Sequence, residues 1–512
     1  MKKALVLLIF MLSLLSCINI FADYTTPGTS VSWNLNDLVT NSGGTVTFSG
    51  GNYFINSNLN VASSDTIKIL SNANVKLALN VVFLVNGALI VNPPDSVKFT
   101  SIDTTQKFTE LRLDAASNTS SFAKFIYEYS FNGLRLLNVS PSFTNCTFRY
   151  NCNGNSSVTV PALNLFNSNP VITNCLFYRN HRAAIAGGSN IANAPQILYS
   201  QFIENNLLNG NVPQINLGQS GTGTTIIRGC TIIGSAVQSG GIATLPSGTL
   251  NIVIENNIIK RNRYGIAITN TNTMAIIRNN IIDSNNIQGD PNLGGSGINF
   301  NGNSTLTALV SKNLIRGNLW GITIHNTAKL ILGNLAVSDT NYIGQNYIYW
   351  NSNTGVFYDL YNNTPDSIKA ENNFWGSGII DSIEAHIFHK PDNPALGFVD
   401  YLPVYIPLQI NQTGSQLPSV FKLYDAYPNP FNPNTKIKYT ISNNSFVKLT
   451  VYDLLGKEVS VLVNNYKDAG SYEVLFNGSK LASGVYIYKI ESIDLKNGSM
   501  LFTEVKKMVL VK

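Results

Sequence analysis

Residues 257–262 read NIIKRN and residues 280–285 read NIIDSN, and this short phrase decides the fold of the chain. A small polar residue opens the phrase, a hydrophobic residue stands two places on, and an Asn usually follows three places later. Nine copies occur, in steps of 29, 25, 30, 27, 23, 33, 33 and 27 residues. The copies begin at Cys146, Cys175, Ser200, Cys230, Asn257, Asn280, Asn313, Asn346 and Asn373. A period of this length is typical of stacked supersecondary units that share one core.

The residues around the phrase indicate that each unit is a coil of short strands. Runs rich in β-branched residues precede it, as in residues 252–254 (IVI), and no helical apolar stripe is present. A Gly followed by an aliphatic residue often comes after it, at Gly265, Gly297, Gly321 and Gly355. Glycine there suits a corner that needs either a positive φ or a close approach of two backbones.

Stacked coils place equivalent asparagines above one another at the strand spacing of about 4.8 Å. Their side chains can then hydrogen-bond to corner backbone that would otherwise lack partners. We expect one such ladder at Asn257, Asn280, Asn313, Asn346 and Asn373. We expect a second at Asn151, Asn180, Asn205, Asn262, Asn285, Asn318 and Asn351. Both are interpreted as structural, because an active site would occur once and not in every coil.

The repeat and two later motifs carry a family resemblance. Residues 372–376 (NNFWG) are similar to a phrase that often closes right-handed parallel β-helices, and residues 397–403 (GFVDYLP) resemble the segment after it. Residues 30–405 thus resemble right-handed parallel β-helix proteins related in architecture to pectate lyases. The resemblance implies an all-β fold but no single activity, because this architecture hosts lyases, hydrolases, epimerases, adhesins and non-enzymes. We predict a β-helix over residues 23–405, with an N-terminal cap and a closing segment.

Residues 421–512 lose the repeat, and their strands and turns predict a small antiparallel sandwich. Four blocks stand out: residues 426–433 (AYPNPFNP), 451–459 (VYDLLGKEV), 481–488 (LASGVYIY) and 506–512 (KKMVLVK). In this order they closely resemble the type A C-terminal sorting domain of type IX secretion cargo, whose fold is immunoglobulin-like. The motif residues are Pro428, Asn429, Pro430, Phe431, Gly456, Gly484, Tyr486 and Lys507.

That resemblance implies an export route and its partners. Cargo crosses the inner membrane by the Sec machinery, an outer-membrane translocon recognises the sorting domain, and a protease commonly removes it. Residues 406–420 are predicted to be the linker, where a protease could reach the backbone. The passenger is then released or attached to the cell surface. The alternative is an ordinary sandwich that binds glycans.

The N-terminus and the charge distribution agree with export. Lys2 and Lys3 precede an apolar run that is too short to span a membrane, so residues 1–22 are predicted to be a signal peptide. The alternative is a lipobox that lipidates Cys17. The net charge of +6 comes from those two lysines and from residues 421–512, with 12 Lys and 8 acidic residues. Residues 23–420 are therefore neutral, which argues against nucleic acid as a partner.

Titratable residues give little support for catalysis. Asp283 and Asp290 flank a Gly/Pro-rich insertion, but hydrolases on this fold need two or three carboxylates close together. His386 and His389 lie in the closing segment, where we interpret them as capping residues, and His325 as one side of a coil. His181 is the best isolated base candidate. We assign no catalytic residue, no metal and no cofactor.

The cysteines leave one question open. Cys146, Cys175 and Cys230 share one position of the repeat and are interpreted as small buried residues. The alternative is a disulfide, either between Cys146 and Cys175 or between Cys146 and Cys152, since a secreted protein permits one.

Ligand binding is easier to support than catalysis. Tyr264, which follows Arg263, and Trp320 precede corner glycines two coils apart, and Trp350 adds another ring. Aromatic faces along a solenoid can stack sugar rings. We therefore favour a surface or secreted protein that binds glycans or contributes to adhesion without catalysis. A polysaccharide lyase or glycoside hydrolase with an unrecognised site is one alternative, and a purely structural envelope protein is the other.

Overall fold

The computed structural model describes residues 22–117, 119–152, 160–406, 420–443, 445–467, 469–479, 481–493 and 500–512. The chain divides into two compact units, Met1–Pro407 and Leu408–Lys512. The predicted signal peptide before residue 22, including Cys17, and most of the predicted linker lie outside the described residues. Across the described ranges, no helix is long and apolar enough to cross a membrane.

The first unit is a coil of three long sheets, named A, B and C, and almost all of its strand pairs are parallel. Most coils contribute one strand to A, then one to B, then one to C. Sheet A consists of Tyr24–Thr25, Leu59–Val61, Val82–Val85, Glu110–Asp114, Leu134–Leu137, Leu163–Phe166, Ile185–Gly187, Ile215–Leu217, Ile242–Thr244, Ile266–Asn270, Ser296–Gly302, Trp320–Asn326, Leu360–Asn363 and Ile387–Phe388.

Sheets B and C repeat this stacking on the other two sides. Sheet B consists of Ser32–Trp33, Thr66–Ile69, Ala88–Val91, Ser121–Ala123, Ser142–Thr144, Val171–Thr173, Gln196–Leu198, Thr225–Arg228, Leu250–Glu255, Thr273–Arg278, Leu306–Ser311, Lys329–Gly333, Ile368–Ala370 and Val399–Asp400. Sheet C consists of Val46–Ser49, Asn52–Ile55, Ala73–Leu77, Val97–Ser101, Phe125–Glu128, Thr147–Arg149, Leu176–Tyr178, Gln201–Ile203, Thr231–Ile233, Ile258–Lys260, Ile281–Asp283, Leu314–Arg316 and Tyr347–Tyr349. The prediction of an all-β solenoid is confirmed.

Short elements complete this unit. Helix α1 (Leu35–Asn41) buries Leu35 and Leu38 against the first coil, and the Asn34 side chain caps its N-terminus. The last coils carry a 3₁₀ turn (Thr340–Tyr342), a two-stranded hairpin (Ser352–Asn353 with Val356–Phe357) and helix α2 (Ile380–Glu384). The first sheet C pair, Val46–Ser49 with Asn52–Ile55, is antiparallel.

From Thr147–Arg149 onward, most of the corners that flank the sheet C strands use a left-handed residue, which is followed by a small or polar residue that points inward. At the corner from sheet B the left-handed residues include Asn256 (φ 58°) and Asn279 (φ 56°). At the corner after sheet C they include Arg261 (φ 55°) and Ser284 (φ 57°). A left-handed residue reverses the local curvature of the backbone, and Asn tolerates this conformation better than most residues. The next side chain then points into the solenoid.

The glycines after the second corner permit a close approach and not a positive φ. A Cβ at Gly265 would lie 2.5 Å from the carbonyl oxygen of Gly297, and one at Gly297 would lie 2.7 Å from that of Gly321. Gly355 differs, because its φ of 86° belongs to the turn of the small hairpin. The sequence left both explanations open, and the first three glycines follow the close-approach one.

The second unit is a sandwich of two antiparallel sheets. One contains Lys422–Leu423, Asn434–Ile441 and Gly470–Asn477, and the other contains Ser445–Tyr452, Glu458–Lys467, Gly484–Ile493 and Met500–Leu510. Side chains from both sheets form one core, with Tyr439 and Tyr488 among its largest buried members. The predicted immunoglobulin-like sandwich is confirmed as a fold class.

The sorting-motif residues tie the start of this sandwich to its last strand. Asn429 accepts a hydrogen bond from the Val509 N–H (2.8 Å) and donates one to the Lys507 carbonyl (3.3 Å). Phe431, which follows Pro430, forms a parallel β-bridge with Leu510 and is 2% exposed. The remaining motif residues hold turns: the Thr435 hydroxyl donates to the Pro428 carbonyl (2.7 Å), the Tyr486 hydroxyl donates to the Ala482 carbonyl (2.8 Å), and Gly456 has a φ of 79°. Gly484 begins the strand that carries Tyr486.

Candidate functional site

A groove of about 810 Å³ runs along the outer face of sheet A, from the strand Ile215–Leu217 to the strand Leu360–Asn363. We call it the sheet A groove. Its floor begins with one in-register row of outward side chains: Asn216, Ala243, Ala267, Asn299, Thr323 and Tyr361. Because neighbouring strands are about 4.8 Å apart, the row presents small side chains at regular intervals, of which Asn216, Asn299 and Thr323 are polar. The row ends at a tyrosine.

A second row lies two residues further along the same strands and contains Thr269, Asn301, His325 and Asn363. The Asn363 Nδ2 lies 3.4 Å from the His325 Nδ1, so the amide donates to the ring. Burial lowers the pKa of His325, which keeps its imidazole neutral at neutral pH. The floor therefore offers hydroxyls, amides and one neutral imidazole.

Arg263 braces one wall of the groove. Its Nε donates to the Leu293 carbonyl (2.6 Å), and its Nη1 donates to the Asn211 Oδ1 (2.5 Å). The side chain thus connects loops of three coils, and its guanidinium lies 5.9 Å from the Tyr264 ring centroid. Two of its donors are already used within the protein, so Arg263 shapes the wall more than it offers charge to a ligand.

Tyr264 lies next to this brace. A Cβ at Gly240 would stand 2.1 Å from the Tyr264 Cζ, so the ring packs directly on that glycine. Burial raises the pKa of the Tyr264 hydroxyl to about 12, against a smaller opposite effect of Arg263. The hydroxyl therefore stays protonated and can serve as a hydrogen-bond donor.

An aromatic cluster of Trp320, Tyr358, Tyr361 and Phe388 closes one end of the groove. The Trp320 ring centroid lies 4.6 Å from that of Tyr358 and 5.1 Å from that of Tyr361. Tyr361 stacks on Phe388 at 4.7 Å with 8° between the planes. The Trp320 Nε1 donates to the Pro291 carbonyl (3.0 Å), which fixes the indole. These rings form a preorganised apolar surface beside the polar floor.

The groove contains three of the four predicted ligand-binding residues. Arg263, Tyr264 and Trp320 all line it. Trp350 does not, because it is the left-handed residue (φ 59°) of the corner after sheet C, where its ring packs edge-on against Tyr349. The groove also contains two residues that the sequence did not predict as ligand-binding. Tyr361 was not singled out, and His325 was interpreted only as one side of a coil. The period-two alternation of their strands was the available signal, since it places both on the outer face.

The acidic candidates and the histidines other than His325 lie outside the groove. Asp283 pairs with Lys260 and Arg316, each at 3.3 Å, on sheet C, and Asp290 accepts from the Asn292 N–H (2.9 Å) within its loop. The Nε2 of His389 lies 2.9 Å from Glu384 Oε1, and His386 Nδ1 lies 3.1 Å from Asp359 Oδ2. Both histidines follow helix α2 and are not on a helix.

His181 lies beside Lys107, whose Nζ is 3.3 Å from the His181 Nδ1. The same Nζ also donates to the carbonyls of Tyr150 and Cys152, each at 3.2 Å. Burial lowers the pKa of Lys107, and burial together with the nearby Lys107 charge lowers that of His181. All three ammonium protons of Lys107 have partners, so the pair acts as an internal brace.

No disulfide or metal cluster is found among the residues that the structure describes. Cys146, Cys152, Cys175 and Cys230 are free and buried, so neither suspected bridge is present. Groups of three or more His, Cys, Asp or Glu side chains that could hold a metal ion are absent from the described ranges.

The first ladder is a continuous chain of hydrogen bonds. Asn257 donates from both its backbone N–H (3.0 Å) and its Nδ2 (2.9 Å) to the Asn280 Oδ1. The same double contact joins Asn280 to Asn313, Asn313 to Asn346, and Asn346 to Asn373. All five side chains are buried.

The second ladder contains two members that the sequence did not predict. Gln214 replaces the Asn missing from the coil of Cys230, since its Oε1 accepts from Asn205 Nδ2 (2.9 Å) and its Nε2 donates to Asn262 Oδ1 (3.0 Å). Asp359 ends the ladder by accepting from Asn351 Nδ2 (2.8 Å). Burial raises the pKa of Asp359, although His386 and Asn351 act in the opposite direction.

Comparison with known proteins supports both units separately. Residues 126–305 match the family described as right handed beta helix region, and residues 425–501 match the family described as secretion system C-terminal sorting domain. No curated protein matches the sequence. Among solved structures, a mutant of the periplasmic alginate epimerase AlgG is similar over 73% of this chain and 83% of that one, at 12% identity with a TM-score of 0.35.

The chain is a right-handed β-helix protein with a C-terminal sorting domain of the type IX secretion system. The sorting domain implies interaction with the secretion machinery and indicates secretion to the cell surface.

Proposed function

We propose that the exported β-helix binds a glycan in the sheet A groove and does not cleave it. The observation that carries this proposal is the position of the aromatic cluster at the end of a floor of amides and hydroxyls. Sugar rings have apolar faces that stack on aromatic side chains and hydroxyls that bond to amides. The groove supplies both kinds of contact along one axis.

The absence of acidic groups from the lining favours binding over hydrolysis. Among the described residues that line the groove, the titratable side chains are Arg263, Tyr264, His325 and Tyr361. Glycoside hydrolysis generally needs two carboxyl groups on either side of the scissile bond. Neither Asp283, which lies on sheet C, nor Asp290, which accepts a hydrogen bond within its own loop, lines the groove.

Polysaccharide lyase activity is the second candidate, and His325 is the observation that favours it. A neutral imidazole on the groove floor is a suitable general base for proton abstraction. The reaction would release unsaturated products that absorb in the ultraviolet. A panel of polysaccharides that gives no such product and no new reducing ends would remove this candidate.

Affinity electrophoresis of the exported protein against a polysaccharide panel tests glycan binding. We expect retardation in at least one polysaccharide gel, and Tyr361→Ala and Trp320→Ala should each weaken binding by about tenfold or more, as for hot-spot aromatics. Trp350→Ala is the matched control, because that side chain is 43% exposed and lies outside the groove. Equal losses in all three variants, or no retardation by any polysaccharide, would overturn the proposal.

The sorting protease is a further proposed partner, and residues 406–420 are its proposed cleavage region. The mass of the protein recovered from the culture medium or cell surface tests this point. The expected C-terminus lies within residues 406–420, whereas a mature protein that retains residues 421–512 would contradict it.

A further inference from the structure

A second cavity, of about 340 Å³, lies in the first coils of the β-helix. We call it the N-terminal pocket. It is bounded by the strand Ser32–Trp33, the Asn52–Ile55 strand and the turn that follows Thr66–Ile69. Its volume falls within the range of roughly 300–1,000 Å³ that small-molecule sites occupy. The sheet A groove starts at the eighth strand of sheet A, so about seven coil spacings, roughly 34 Å, separate the two sites.

Two aromatic rings line the N-terminal pocket and are held in place. Trp33 pairs with Ile67 in sheet B, and both Trp33 and Tyr53 pack on the hydrophobic core. The Tyr53 hydroxyl donates to the Asn36 Oδ1 (2.7 Å), and its ring contacts Phe48 at 4.7 Å. A half-buried ring that is fixed on one side and open on the other is a stacking surface for the apolar face of a pyranose.

The polar groups that remain available in this pocket are mainly donors. Lys68 is exposed and lines the cavity, and it makes no ion pair within the described part of the chain. The indole N–H of Trp33 likewise has no acceptor among the described residues. By contrast, the first N–H groups of helix α1 are already bonded to the side chain of Asn34, so the helix end contributes nothing.

The nearest acidic side chains are committed to other partners. Asp37 accepts from the Asn34 N–H (2.8 Å), and Asp95 accepts from the Asn72 Nδ2 (2.7 Å). Neither carboxylate lines the cavity. An ammonium and an indole N–H beside two rings suit a ligand with an apolar ring face and a negatively charged acceptor.

We propose that the N-terminal pocket binds a single carboxylated sugar unit, stacked on Trp33 and Tyr53 with its carboxylate on Lys68. This site is independent of the sheet A groove, and a chain that binds at both places can bridge two glycan strands.

Saturation-transfer difference NMR of the exported protein with glucuronate, and with glucose as the neutral counterpart, tests the proposal. We expect transfer to glucuronate that exceeds transfer to glucose. Lys68→Gln should weaken glucuronate binding about tenfold and remove the preference over glucose. Lys390→Gln is the matched control, an exposed lysine outside the pocket, and it should change nothing.

Two further variants make the result unambiguous. In a Trp320→Ala background, which removes binding in the sheet A groove, Trp33→Ala should abolish the signal for both sugars, and thermal unfolding shows whether that variant still folds. If it does not fold, the exposed Lys68→Gln variant decides alone. Because Trp320→Ala removes binding in the sheet A groove, glucuronate transfer that persists in this variant comes from the N-terminal pocket, so failure of the groove proposal and failure of this one are distinguishable. No transfer to glucuronate, or equal transfer in Lys68→Gln and the unmodified chain, would overturn the proposal.

Discussion

The two halves of the β-helix use different side chains at the same corner between sheets B and C. Up to Cys230 the inward residues are Cys146, Cys175, Ser200 and Cys230, and from Asn257 onward they are asparagines. Inside sheet C the first half stacks phenylalanines, with Phe177 at 4.7 Å from Phe148 and 4.9 Å from Phe202, both at 4°. From the coil of Cys230 onward, isoleucines such as Ile232 and Ile259 continue that row.

This difference indicates that two kinds of side-chain contact, amide hydrogen bonds and stacked aromatic rings, can hold successive coils in register. In both halves an inward residue accepts a backbone N–H from the preceding coil: the Cys175 N–H donates to the Ser200 Oγ (3.0 Å), and the Asn280 N–H donates to the Asn313 Oδ1 (3.0 Å). The asparagines also donate from Nδ2 to the next side chain in the row, as Asn280 does to the Asn313 Oδ1 (2.9 Å). In the first half, stacked rings supply the additional coil-to-coil contact instead.

The largest loss of stability is expected from a substitution that interrupts the row of asparagines. Asn313 accepts two hydrogen bonds from Asn280 and donates to the Ile277 carbonyl (2.9 Å), the Ser311 carbonyl (3.0 Å) and the Asn346 Oδ1 (3.0 Å). Asn313→Ala leaves these buried groups without partners, so we expect the free energy of unfolding to fall by about 3–5 kcal/mol. Urea denaturation followed by circular dichroism measures it. Asn303→Ala, an exposed loop asparagine, serves as control, and a loss below about 1 kcal/mol for Asn313→Ala would show that the row contributes little.

The second ladder allows a sharper test of how much a continuous row of amides contributes to stability. In this ladder the long side chain of Gln214 takes the place of an absent Asn. Gln214→Ala removes the side chain that bridges Asn205 and Asn262, so two buried amides lose a partner. We expect a loss of about 2–3 kcal/mol in the same urea experiment, smaller than for Asn313 because fewer bonds are broken. Gln238→Ala, an exposed glutamine in the neighbouring loop, should be neutral. A neutral Gln214→Ala would mean that the ladder tolerates a gap.

The repeat predicts which residues share a row, because coil-to-coil register follows from the backbone and recurs with the period. The repeat could not predict Gln214, because this residue does not belong to the repeated motif. Gln214 joins the second ladder only because Ser235 occupies the Asn position of its coil. The repeat also could not predict where the Trp320 and Trp350 side chains lie. Both precede corner residues in the sequence, but loop length decides that one borders the groove and the other sits on the sheet C corner.

The smallest change in stability is expected from a substitution in the first half, where the inward residues are mostly cysteines. The Cys175 Sγ accepts from the Cys146 N–H (3.4 Å) and lies 3.4 Å from the Thr173 carbonyl, and Ser200 already makes equivalent contacts one coil further on. Cys175→Ser keeps a donor and an acceptor at nearly the same volume, so we expect a change below about 1 kcal/mol. Cys175→Ala should cost more than Cys175→Ser, because it leaves the Cys146 N–H without an acceptor. If Cys175→Ser destabilised the protein as much as Asn313→Ala, thiol packing and not hydrogen bonding would hold the first half together.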